Sequence, residues 1–151
     1  VRDTFLTDSP DRPGGCGRRE MREGGCQCGA VRYAASGDPL HHALCHCADC
    51  RASAGAPAVA WIAFPEDAVQ VTTGKPVTYE GKHGARRQFC GSCGTGLLYT
   101  NAEMLPGIVD IQSATLDDAG AEAPGAQIQR AERLAWFDGL GDLPGFDRYP
   151  G

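Results

Sequence analysis

The stretch Gly24-Gly25-Cys26-Gln27-Cys28-Gly29 decides how the rest of the chain is read, because a Cys-x-Cys pair set among glycines suits a metal better than a disulfide. Neighbouring cysteines of this kind close too small a ring to bridge comfortably, and a disulfide framework needs an oxidising compartment of which the chain carries no sign. On an extended strand Cys26 and Cys28 point to the same face. Working outward, cysteines recur as Cys45-His46-Cys47-Ala48-Asp49-Cys50 and Cys90-Gly91-Ser92-Cys93, with Cys16 alone near the start. Zinc takes four ligands in a tetrahedron at about 2.3 Å from sulfur, and cysteines two or three residues apart can offer both sulfurs from one tight turn. Gly91 and Gly94 suit such a turn around Cys90 and Cys93, since glycine accepts positive φ. Cys26, Cys28, Cys90 and Cys93 thus make a closed four-sulfur zinc site. Their separation along the chain is no obstacle, because loop-closure entropy grows only logarithmically.

Cys45, Cys47 and Cys50 remain as a second group. Three protein ligands with an open fourth position distinguish catalytic from structural zinc. Two readings stay open: the fourth position is free, or His41, His42, His46 or Cys16 fills it and the site is structural. His46 fits worst, because it lies between two ligand cysteines and points the opposite way on an extended backbone. Cys16 reads as a free thiol.

The 151 residues suffice for one domain. Residues 1–23 are polar, without apolar periodicity, and read as a mobile or peripheral leader; residues 24–150 read as the domain. There, short apolar or alternating segments are separated by Gly and Pro at roughly 8–12-residue intervals, the pattern of a mostly β fold. The predicted strands are Ala30–Ala35, Leu40–Leu44, Ala58–Phe64, Ala68–Thr72, Val77–Glu80, Arg86–Phe89, Gly96–Thr100, Ile108–Gln112 and Gln127–Arg130. Between Arg51 and Ala60, Gly55 and Pro57 leave room for a single helical turn. Trp136 to Gly151, rich in Gly, Pro and aromatics, is expected to pack as an irregular tail over the sheet.

A net charge of −5 argues against nucleic acid as a partner, which demands a clustered positive surface. The longest apolar run, Ala58 to Phe64, is far short of the roughly 20 residues a spanning helix needs, so no membrane partner is expected. Without an apolar stretch at Val1–Thr4, the expected compartment is the cytoplasm. The excess of Arg over Lys, with abundant Ala and Gly, points to a bacterial genome rich in G and C. Oligomeric state is not legible.

With these motifs in place the chain resembles the glutathione-dependent formaldehyde-activating enzyme family, also called the centromere protein V type. The resemblance rests on Gly24-Gly25-Cys26-Gln27-Cys28-Gly29-Ala30-Val31-Arg32-Tyr33, Cys45-His46-Cys47-Ala48-Asp49-Cys50-Arg51, Gly55-Ala56-Pro57, Trp61 and Phe64-Pro65. It continues through Gly74-Lys75-Pro76, Tyr79, Gly84, Arg87, Phe89-Cys90-Gly91-Ser92-Cys93-Gly94-Thr95 and Leu143-Pro144. It implies a tent-like, mostly β fold with two zinc ions per chain, one structural on Cys26, Cys28, Cys90 and Cys93 and one catalytic on Cys45, Cys47 and Cys50. It also implies a carbon–sulfur lyase acting on adducts of glutathione, or a similar small thiol, with formaldehyde or another small aldehyde. The alternative is a zinc-stabilised binding module without turnover. One departure stands out: many members carry His-Ile ahead of the final Trp, where this chain has Gln127-Ile128-Gln129 before Trp136. If that imidazole moves protons in relatives, its absence bears on the reaction.

A glutathione-like substrate carries two carboxylates, so Arg51, Arg86 and Arg87 are candidate clamps; each also reads as an ordinary surface cation. Trp61 reads first as core and second as a pocket wall. Asp49 reads as an exposed turn aspartate before a proton shuttle. His46 is a candidate general base or a hydrogen-bonding support for a ligand.

Overall fold

Strand β4 (Val59–Pro65) shows why the molecule has two apolar interiors. Its side chains alternate, so Ile62 and Phe64 join one buried cluster while Val59 and Trp61 join another. A strand buried on both faces must sit inside a sheet, and β4 lies between β3 (His41–Cys45) and β9 (Leu105–Gln112), antiparallel to both. A computed structural model describes residues 20–150; Cys16 and most of the expected leader lie outside them.

The remaining strands and the α-helix are β1 (Met21–Gly25), β2 (Arg32–Ser36), α1 (Ala48–Ala54), β5 (Val69–Thr73), β6 (Val77–Glu80), β7 (Ala85–Phe89), β8 (Gly96–Asn101) and β10 (Ala126–Ile128), and 3-10 helices cover Glu66–Ala68, Ser113–Thr115, Arg130–Glu132 and Ala135–Asp142. The strands form a three-stranded sheet, β1-β2-β5, and a seven-stranded sheet, β10-β3-β4-β9-β8-β7-β6. Every pairing is antiparallel except β10 on β3. The fold is therefore mostly β with two sheets, as expected.

The main core lies between the sheets. Tyr33 and Ala35 of β2 meet Ile62 and Phe64 of β4, Leu98 of β8, and Val109 and Ile111 of β9. Cys26 and Cys90 belong to this cluster, whereas Cys45 and Cys50 belong to the one on the opposite face of β4 with Val59 and Trp61. Phe64 is fully buried, and its truncation to alanine is of the kind that costs about 3–5 kcal/mol.

The structure corrects four expectations. First, β1 begins at Met21, inside the stretch read as leader, and pairs Met21 with Ser36. Its sequence Met-Arg-Glu-Gly-Gly has no apolar alternation because only Gly24 is buried, and pairing with β2 supplies the order. Second, α1 is longer and earlier than the expected single turn. It starts at the Cys47 cap, and Gly55 ends it in the left-handed conformation at φ 62°. Third, β10 spans Ala126–Ile128 rather than Gln127–Arg130. Fourth, the tail is not irregular throughout and does not lay its apolar side chains over the sheet: Ala135–Asp142 forms a 3-10 helix, and Trp136, Leu140, Leu143, Phe146 and Tyr149 are exposed. Phe137 does turn inward, onto His46. No helix among the described residues is long and apolar enough to cross a membrane.

Candidate metal centres

Two turns build the four-cysteine centre. Cys26 and Cys28 lie on a turn after β1 and not on the expected extended strand, the turn being closed by the Gly29 N–H donating to the Cys26 carbonyl at 3.0 Å. The Cys90–Cys93 turn closes in the same way, with the Gly94 N–H donating to the Cys90 carbonyl at 2.8 Å. Gly29 and Gly94 have φ of 77° and 76°, where a side chain would be strained; Gly91 is not among the positive-φ residues. Thr95 ties the turns together, because its hydroxyl oxygen accepts from the Gln27 N–H at 3.1 Å and lies 3.2 Å from the Cys93 sulfur. That hydroxyl, with the backbone beside it, holds the Cys93 thiol down at about 5.

The donor set can be tested against zinc directly. A tetrahedron with Zn–S near 2.3 Å has sulfur–sulfur edges of about 3.8 Å. Cys26 and Cys28 sulfurs lie 3.6 Å apart, and Cys28 and Cys90 sulfurs 3.8 Å apart. All four sulfurs lie within 4.8 Å of one another, so the residues fit the ion. The Val31 N–H donates to the Cys26 sulfur at 3.2 Å, the kind of bond that favours thiolate over thiol.

The second cluster forms where β3 runs into α1. Cys45 ends β3 and Cys47 caps α1, its sulfur accepting from the Cys50 N–H at 3.3 Å; Cys50 sits one turn into the helix. These three sulfurs also lie within 4.8 Å of one another, and no fourth Cys, His, Asp or Glu among the described residues joins them. Hydrogen bonding with Cys45 holds the Cys50 thiol down at about 5, with smaller help from Cys47, Arg87 and Trp61 against the cost of burial. The same pairing, with burial, pushes the Cys45 thiol up.

The histidines offered as fourth ligands are engaged elsewhere. His41 pairs with Asp110 at 3.3 Å, and His42 Nε2 lies 2.9 Å from the Ser113 hydroxyl. His46 is fully buried, with Nε2 2.9 Å from Gln127 Oε1 and its ring 4.9 Å from Phe137, edge to face. Its backbone is pinned as well: its N–H donates to the Ile128 carbonyl at 3.1 Å, and its carbonyl accepts from Arg51 Nε at 3.1 Å.

The three candidate clamps separate. Arg51 bonds the His46 and Glu132 carbonyls and so holds the α1 end of the site together. Arg86 is exposed and paired with Glu80 at 2.8 Å. Arg87 alone of the three approaches the sulfurs, with Nη2 3.8 Å from Cys50 Sγ. Trp61 is buried against the thiols, 5.9 Å from the Tyr99 ring, and Asp49 is an exposed first-turn residue of α1. Sequence reasoning missed Tyr99 and Glu132. Tyr99 follows from the Arg87–Tyr99 register of β7 and β8. Glu132 accepts from the Ala48 N–H at 2.8 Å across 84 residues, a contact without a local signal.

A family model described as glutathione-dependent formaldehyde-activating enzyme matches residues 21–132. The chain belongs to this glutathione-dependent formaldehyde-activating enzyme family. The match starts with β1 and stops before the exposed tail, so it contains both cysteine clusters of this family member. Among solved structures, a Rhodobacter sphaeroides protein from structural genomics is similar with a TM-score of 0.55 and 22% identity. The similarity covers 70% of this chain and 98% of that one, and supports the fold alone. Comparison with curated proteins returns no significant match.

Proposed function

We propose that this protein is a zinc-dependent carbon–sulfur lyase that makes or breaks the adduct of a small aldehyde with glutathione or a similar thiol, in the cytoplasm. The observation that carries this reading is the second cluster, where Cys45, Cys47 and Cys50 converge without a fourth protein donor among the described residues. Three donors suit an exchangeable site, and soft sulfurs suit zinc. Cys26, Cys28, Cys90 and Cys93 would hold a second, structural ion with no position left for substrate. When bound on the three cysteines, zinc supplies Lewis acidity and lowers the pKa of a thiol offered to it.

The reaction asks for few groups. Thiol sulfur bonds to the aldehyde carbon, the C=O π pair moves to oxygen, and the thiol's proton ends there; cleavage runs the reverse. In this chain Trp61 and Tyr99 pack against buried Cys45 and Cys50 and keep water from that side, while Cys47 is less buried. His46 is held by Gln127 and Phe137, so its role is to fix the Cys45–Cys47 backbone rather than to move the substrate's proton.

The test is turnover by protein with both sites filled, given formaldehyde and glutathione or another small thiol. Saturable acceleration is expected. No acceleration over buffer with any thiol would overturn the reading. It would favour the zinc-stabilised binding module, for which the exposed Trp136, Leu140, Leu143, Phe146 and Tyr149 are the supporting observation.

A further inference from the structure

Arg87 is a half-buried cation with no acid paired to it among the described residues. Its guanidinium lies over the Tyr99 ring at 5.0 Å, Nη2 reaches Cys50 Sγ at 3.8 Å, and Nη1 is buried without a partner. Its neighbour Arg86, paired with Glu80, is the contrasting case. A charge taken partly out of water needs compensation, and the anionic partner that the described residues place within reach of Arg87 is the Cys50 thiolate of the three-cysteine cluster.

Three thiolates around a divalent ion sum to −1, and a fourth thiolate would bring the centre to −2. A fixed guanidinium against Cys50 lowers the cost of that last charge, while it gives nothing to a neutral ligand. We infer that Arg87 sets the ligand preference of the three-cysteine centre: by balancing its charge, it makes the fourth position select an anionic thiolate over a neutral donor such as imidazole. The inference rests on the open-site reading above and deepens it. The stack on Tyr99 fixes the guanidinium in place, which a flexible lysine would reproduce only in charge.

The experiment uses the full chain loaded with cobalt(II), whose spectrum reports its ligands, titrated with 2-mercaptoethanol and separately with imidazole. Arg87→Gln is expected to weaken thiol binding about tenfold or more, the scale of one charge near 4 Å in a half-buried site, and to leave imidazole binding unchanged. Arg87→Lys should stay within about threefold of wild type for the thiol, since the charge is kept. Arg86→Gln should change neither. If the glutamine variant does not fold, Arg87→Met, neutral and of similar length, takes its place. Unaltered thiol affinity in the neutral variant overturns the inference, as does a lysine variant that loses as much as the neutral one. A wild type whose cobalt spectrum ignores every thiol overturns both this inference and the proposed function. A wild type that binds thiol but does not turn over aldehyde overturns the reaction alone.

Discussion

His46 Nε2 and Gln127 Oε1, 81 residues apart, lie 2.9 Å from each other and join the cysteine-bearing β3–α1 corner to the parallel strand β10. A glutamine Oε1 only accepts, so the imidazole donates through Nε2–H. Gln127, which stands where the resemblance led to the expectation of a His-Ile dipeptide, is thus the partner of the histidine flanked by Cys45 and Cys47. The departure falls on the support of the site rather than on its sulfurs.

Removing that partner should be felt as stability. Gln127→Leu leaves a buried ring N–H without an acceptor and is expected to cost about 1–3 kcal/mol. Gln127→His keeps an acceptor nitrogen and should cost less. Urea unfolding at unchanged m-value measures both. A leucine variant as stable as wild type would mean that His46 finds another acceptor.

Metal content should be two zinc ions per chain, four cysteines holding one and three the other. Elemental analysis of protein prepared with zinc should give two, with the three-cysteine ion lost first to a mild chelator, since it has fewer protein donors. A single ion that survives chelation would mean that the Cys45 cluster does not bind metal.

The two clusters should respond differently to single substitutions. Cys93→Ala opens the centre that ties the β1–β2 turn to the β7–β8 turn, so its metal free energy is part of the folding free energy. A sharply lower melting temperature and poor solubility are expected. Cys47→Ser should barely move melting, because serine is itself a good helix N-cap and the other centre still joins the sheets. It should lower the zinc count from two to one and abolish thiol-dependent turnover, since oxygen is the harder donor. Equal melting of the two variants would contradict the division of labour.

Acidification should destabilise the fold through His42. Burial, the largest cause, lowers its pKa below the ordinary 6.5, against an opposing pull from Glu122. A depressed folded value means that the unfolded chain takes up the proton first. The contribution is therefore complete above about pH 6.5 and is lost as pH falls from there through the folded value. Urea stability of wild type minus that of His42→Gln, followed from pH 8 to pH 5, isolates this from metal loss, which both proteins share. A difference that stays flat across that range would remove His42 from the account.

What the sequence determined by itself was local. Ligand pairs two or three residues apart, the glycines beside them, and strands punctuated by Gly and Pro are short-range patterns. Accordingly both cysteine groups, and strands such as Val77–Glu80, stand where the residues placed them. The weak elements were those whose order comes from pairing rather than pattern. β1 has one buried residue, and β10 has three exposed residues held in parallel to β3. Which side chains surround the three-cysteine cluster was decided only in three dimensions. Arg87 and Arg86 are adjacent and chemically identical. Strand alternation puts one beside Tyr99 and the Cys50 sulfur and leaves the other with Glu80 in solvent. Gln127 and Glu132 meet the β3–α1 corner across more than eighty residues. Contacts of that span depend on the strand order of the sheet, and no local spacing encodes it.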